Sequence, residues 1–151
     1  MHRRNILATA LAAASALVAV GSRSARAQAS EPGKDASKVV YHLSDLDKVS
    51  FVLGNIENHL AGVGGPEKVT IALVVHGPAL RAFHSAGASP DTAHRVAGFV
   101  KSKVAFNACA NTMRGQNVTL KDLLPGFTVA ERGGVVRIAE LQAQGYVYLR
   151  P

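Results

Sequence analysis

Cysteine is the scarcest reactive residue in this chain: Cys109 is the only one among 151 residues. A single cysteine excludes an internal disulfide. Nor does the chain carry the CxxC or HxxxH spacing of a local metal site. The glycine pairs in "VGGPEK" and "ERGGVV" match neither a P-loop nor a GxGxxG spacing, so both read as turns. Paired carboxylates suited to acid–base work do not stand out. No Ser–His–Asp arrangement follows from spacing. There is no internal repeat, and no Lys/Arg run interleaved with aromatics marks a nucleic-acid surface.

Acidic residues are also few, 10 against 17 Lys and Arg, for a formal charge of +7. Much of that excess lies at the N-terminus. "MHRRNILATALAAASALVAVGSRSARAQAS" has a charged start, an apolar run and an Ala25-Arg26-Ala27 end, which together are the marks of a signal peptide. The Arg3-Arg4 pair points to the twin-arginine route, with general secretion as the alternative. The run from Ile6 to Val20 is shorter than the roughly 20 apolar residues of a spanning helix. The expectation is therefore cleavage near Ala27, a periplasmic protein and no stable membrane insertion afterwards. Loss of Arg3, Arg4, Arg23 and Arg26 leaves 13 basic residues against 10 acidic ones. An excess of three does not call for nucleic acid. The expected layout is a signal peptide over 1–27, a flexible polar leader over 28–37 and one domain over 38–151, an ordinary domain size.

Within that domain strands alternate with helices. "KVVYHL" (38–43) reads as a strand. Ser44 and Asp47 have the spacing of a capping box. Leu46, Val49, Leu53, Ile56, Leu60 and Val63 then form a helix face, stopped by Gly62, Gly64, Gly65 and Pro66. "KVTIALVVH" (68–76) is apolar almost throughout, as suits a strand of a sheet covered on both faces. A short helix over Ala79–His84 follows. Ser89 and Pro90 are the N-cap and first position of a helix with Ala93, Val96, Ala97 and Val100 on its apolar face. "VAFNA" (104–108) is a third strand, ending at Cys109. Thr119 to Leu124 fits a short capped helix, "FTVA" a fourth strand, Val135 to Gln144 a helix and "YVYL" a fifth strand. This alternation predicts an α/β fold, a three-layer α/β/α sandwich around a five-stranded, mostly parallel sheet.

Ligands of such sheets bind at the carboxyl ends of the strands. His42 lies near the end of the first strand, His76 ends the second and Cys109 follows the third, so neighbouring strands would bring them to one edge. Two chemistries fit. Cys109 can act as a nucleophile or sulfur acceptor, activated by a nearby histidine or a helix N-terminus. Asn111, Thr112 and Arg114 of "ANTMRG" would support it as a helical turn that favours an anion. Alternatively, His42, His76 and Cys109 bind zinc or copper, which accept nitrogen and sulfur ligands. A third alternative is a scaffold in which Cys109 is packing. His59, His84 and His94 read as solvent-facing.

The segments "KVVYHL", "NIENHL", "ALVVHGPAL", "FNACANTMRG", "LKDLLPGFTV" and "RIAELQAQGYVYLRP", in that order, resemble the DsrE/DsrF-like family in its small exported branch of intracellular sulfur oxidation-like proteins. The resemblance runs from about residue 38 to the C-terminus. It implies a five-stranded parallel α/β/α sandwich assembled as a homotrimer or hexamer. It also implies a persulfide-carrier role for Cys109, working with a sulfur donor or acceptor protein and requiring no cofactor. His42 and His76 match strand-end histidines of that branch. The sulfur-relay members work as mixed cytoplasmic complexes, whereas this chain carries an export signal.

Overall fold

The apolar runs become five strands in a computed structural model that describes residues 36–151. The expected signal peptide over 1–27, and the expected leader up to residue 35, lie outside the described residues. The strands are β1 (Ser37–Leu43), β2 (Val69–Val75), β3 (Ala105–Cys109), β4 (Phe127–Ala130) and β5 (Val147–Leu149). All neighbours pair in parallel, in the order β4-β3-β2-β1-β5. Between them run α1 (Val49–Gly62), α2 (Pro90–Lys101), α3 (Ala110–Gly115) and α4 (Gly134–Ala143).

This order decides which face each helix covers. From β1 to β4 the chain moves steadily towards one edge, and right-handed crossovers then put every connection on the same face. The connection from β4 to β5 reverses direction and crosses the other face. The core divides accordingly. Val49, Val52, Leu53 and Ile56 of α1 and Val96 and Phe99 of α2 pack with Tyr41, Leu73 and Phe106 in the larger cluster. Ile138 and Leu141 of α4 pack with Val40, Ala72 and Val74 in a separate one. The result is the three-layer α/β/α arrangement, with α4 as the helix over the second face. Phe106 and Phe127 at 5.1 Å, and Phe83 and Phe127 at 5.3 Å, centre the larger core. Each fully buried side chain of this size stabilises the fold by roughly 1.5–3 kcal/mol.

Several local expectations change. Ser44 does not cap a helix. The chain makes one 3₁₀ turn over Leu46–Lys48 with no side-chain cap, and α1 begins only at Val49. Ser44 is engaged elsewhere: its hydroxyl accepts from Arg150 at 3.1 Å and its carbonyl from the Ala79 amide at 3.0 Å. Leu46 and Val63 therefore fall outside α1 and are exposed. The helix after Ser89 is capped as expected, the Ser89 hydroxyl accepting from the Thr92 amide at 3.1 Å. Its buried face is Thr92, Val96 and Phe99, however, while Ala97 and Val100 are exposed. Phe99 has the most apolar area to bury, and α2 rolls to seat it against Phe106. The short helix near Ala79 is a 3₁₀ helix over Gly77–Phe83. The capped turn near Thr119 has its capping box with Asp122. His59 and His84 are half-buried rather than solvent-facing. His59 Nδ1 meets the Tyr41 hydroxyl at 2.9 Å and His84 Nε2 meets Gln116 Oε1 at 2.8 Å.

Candidate functional site

Register brings the three strand ends together. His42 pairs with Val74, and Val75 pairs with Ala108. Side chains alternate with period two, so His42, Val74 and Asn107 share the face under α4, with Cys109 on it at the last β3–β4 pair and His76 just past the end of β2. His76 keeps extended backbone angles and is anchored through its amide to the Leu43 carbonyl at 3.0 Å. The connection after β3 packs on the first face and the one after β4 on the second. Cys109 thus stands where neighbouring strands send their connections opposite ways, the position at which open α/β sheets form a ligand crevice.

Cys109 is the N-cap of α3 and only 5% exposed. Burial alone pushes its thiol pKa up. Against that act the Thr112 and Gly134 amides, the Thr112 hydroxyl and the Asn111 amide, and the net effect holds the thiol below its ordinary value. The Thr112 hydroxyl accepts from the Gly77 amide at 2.9 Å, which leaves its proton free for the sulfur. Gly134 explains how α4 approaches so closely. A Cβ there would lie 3.3 Å from the Cys109 Cβ and 3.4 Å from the His76 Cβ. Gly133 before it has φ +99, open to glycine at little cost. A pocket of about 270 Å³ opens over the sulfur, lined by His76, Cys109, Asn111, Thr112, Arg132 and the first residues of α4. A second cavity of about 320 Å³ lies alongside, between Asn107, Thr128, Arg137 and Glu140, and shares Arg132 and Gly133 with the first.

The histidines form a pair of their own. Their Nε2 atoms are in direct contact, closer than stacked rings can approach. With ring centroids 4.7 Å apart and planes inclined by 18°, the rings therefore meet edge to edge and nearly coplanar. His42 Nδ1 is bonded to the Tyr148 hydroxyl at 2.7 Å. Burial, then the neighbouring His76, then Arg150 push the His42 pKa down to about 4, with Asp45 opposing. Burial and Arg150 lower that of His76, again against Asp45. Both rings are neutral at neutral pH.

The structure thus joins His76 to Cys109 at one pocket and to His42 at its other side, while His42 does not line the pocket. Among the described residues, no group of three or more His, Cys, Asp or Glu side chains is placed to hold a metal ion. Asn111 and Thr112 stand where the sequence put them. Arg114 is turned away, bonded to Asn111 Oδ1 and exposed; the arginine in the pocket wall is Arg132. Sequence reading missed Arg132, Gly133, Gly134 and Tyr148. The signal for the first three was a glycine pair directly before an apolar helix in "ERGGVV". Tyr148 carried no local signal, because only the crossover to β5 places it beside His42.

Fold and site together define an α/β protein with a buried cysteine at the switch point of a parallel sheet. No family model matches the chain, and no curated protein matches it. Among solved structures it is similar to a protein of unknown function, MTH1491, from Methanobacterium thermoautotrophicum. The two share 27% identity with a TM-score of 0.66, over 76% of this chain and 99% of that one.

Proposed function

We propose that this chain is an exported DsrE/DsrF-like protein whose Cys109 binds sulfane sulfur and passes it on. The observation that carries this reading is the place of the thiol: Cys109 lines a pocket of about 270 Å³ at the switch point of the sheet, with His76, Asn111, Thr112 and Arg132 around it. Burial of a cysteine only 5% exposed ordinarily makes it harder to ionise, yet the neighbouring polar groups of Thr112, Gly134 and Asn111 hold its pKa below the ordinary value. The thiolate attacks the outer sulfur of a small donor. A bond forms from Sγ to that sulfur, and the donor's own bond to it breaks with the electron pair leaving on the donor. The persulfide anion that results suits the same polar groups, and the pocket beside it has room for a small molecule. The function requires no cofactor.

Intact mass spectrometry after incubation with thiosulfate or polysulfide tests the reading. Wild-type protein is expected to gain the mass of one sulfur atom and Cys109→Ser none. No gain in the wild type, or an equal gain in the variant, rejects it. The proposal includes a periplasmic location, a homo-oligomer (trimer or hexamer), and a sulfur donor or acceptor protein as partner. Exposed Phe51, Val135 and Val147 supply apolar surface for association. Light scattering showing a monomer would remove that part alone.

A further inference from the structure

We propose that Tyr148, His42 and His76 form a proton-transfer chain serving Cys109, in which Tyr148 and His42 are positioning residues that act through His76. This inference rests on the sulfur-carrier reading of Cys109.

The contacts are consecutive. The Tyr148 hydroxyl meets His42 Nδ1 at 2.7 Å, and His42 Nε2 meets His76 Nε2 in line. Among the described residues neither ring has another hydrogen-bond partner. His76 spends Nε2 on His42, which leaves Nδ1 as its remaining ring nitrogen, and His76 is one of the residues that line the pocket with Cys109. At the other end Tyr148 is 38% exposed and reaches solvent. Two facing Nε2 atoms can bond only if one carries a proton and the other does not, so the rings hold complementary tautomers. A proton leaving His76 Nδ1 is replaced at His76 Nε2 from His42 Nε2. His42 Nδ1 is refilled from the Tyr148 hydroxyl, and Tyr148 from water. No ring becomes charged at any stage, which suits two part-buried imidazoles. The charged groups that face the chain are Arg150 and Asp45, paired with one another at 3.3 Å. In the pocket wall Arg132 is paired with Glu140 at 3.0 Å.

The step served is transfer from an organic persulfide, R–S–SH. Cys109 thiolate bonds to the outer sulfur, the inner S–S bond breaks, and the electron pair leaves on R–S⁻. That thiolate takes the proton from His76 Nδ1 and departs as R–SH, while Cys109 holds –S–SH, which releases its proton to water and stays as the persulfide anion. One proton from water balances the step through Tyr148. No oxidant or reductant is consumed.

Two measurements on the full chain test this. Long-range proton–nitrogen correlation spectra should show His42 and His76 in complementary Nε2 states, with the His76 populations altered in Tyr148→Phe. Two bare Nε2 atoms, or a His76 spectrum unchanged in Tyr148→Phe, overturn the chain. Second, single-turnover transfer from glutathione persulfide should slow by about fivefold or more in Tyr148→Phe and in His42→Gln, with a reduced solvent isotope effect and an altered pH profile. Alkylation of Cys109 by iodoacetamide expels iodide and needs no proton delivery, so its rate should be unchanged. Transfer slowed no more than alkylation overturns the service to Cys109. A wild type that takes up no sulfur from any donor rejects the carrier reading itself, and with it this role. A wild type that takes up sulfur as fast without the Tyr148 hydroxyl rejects the relay alone.

Discussion

Acid should weaken this fold through its histidine pair before it protonates the carboxylates. The two rings are neutral in the folded protein because they are part-buried, face each other and lie near Arg150. In the unfolded chain each has the ordinary value of 6.5. Between 6.5 and about 4 the unfolded chain therefore binds a proton at His42 that the folded one refuses, and stability falls as pH falls across that window. Above the window the contribution is fully present, and below it no more is lost. At 1.36 kcal/mol per pH unit that interval corresponds to roughly 3 kcal/mol for His42. The ring is only part-buried, and solvent screening reduces the figure to about 1–2 kcal/mol. His76 adds in the same direction.

Urea unfolding at a series of pH values between about 7.5 and 4.5 reads this slope directly. The double variant His42→Gln, His76→Gln removes both titrating rings while keeping polar side chains in place. Wild type should lose about 1–2 kcal/mol more than the double variant across the window. Loss from carboxylates is common to both and cancels. Parallel slopes in the two proteins, or a wild type that gains stability on acidification, would refute the neutral head-to-head pair.

Three further outcomes are expected. Thr112→Val removes the hydroxyl that donates to the Cys109 sulfur, so the midpoint of the alkylation rate against pH should move up from a wild-type value below that of an ordinary thiol; an unchanged midpoint would show that the amides alone set it. Gly126→Ala places a Cβ 2.3 Å from Val100 Cγ2 at φ +103, and should cost about 1–3 kcal/mol in chemical denaturation. Ser89→Ala removes the N-cap of α2 and should cost about 1 kcal/mol, whereas Ser89→Asp should restore most of it.

The strand layout was legible because buried parallel strands leave an unmistakable trace. "VTIALVV" and "FTVA" could be placed to the residue or nearly so, and the Ser89-Pro90 start of α2 is a local signal that tertiary contacts leave alone. What local patterning did not carry was competition. Ser44 and Asp47 satisfy a capping spacing, but Arg150, more than a hundred residues later, takes the Ser44 hydroxyl. The α2 face followed the small apolar residues, whereas the actual roll of the helix is set by the large one, Phe99. His59 and His84 read as solvent-facing since their partners, Tyr41 and Gln116, lie on other elements.

The site was half legible for a related reason. Histidine or cysteine at the end of an apolar strand is visible in the sequence, but whether three such ends face the same way depends on register, and a one-residue slip would send His42 to the opposite face. Register is not written in any single strand. It is set by how β1 pairs with β2 and β2 with β3, while the order β4-β3-β2-β1-β5 reverses the chain after β4 and sends α4 back across the second face. That return does two things at once. It sets an uncapped helix start with Gly134 against the Cys109 sulfur, and it delivers β5 next to β1 so that Tyr148 meets His42. Arg132, Gly134 and Tyr148 escaped the sequence reading together because they all lie downstream of that single topological turn. A cysteine that looked isolated at position 109 is thus flanked by groups drawn from the last twenty or so residues of the chain, and its chemistry depends on the crossover as much as on the strand that carries it.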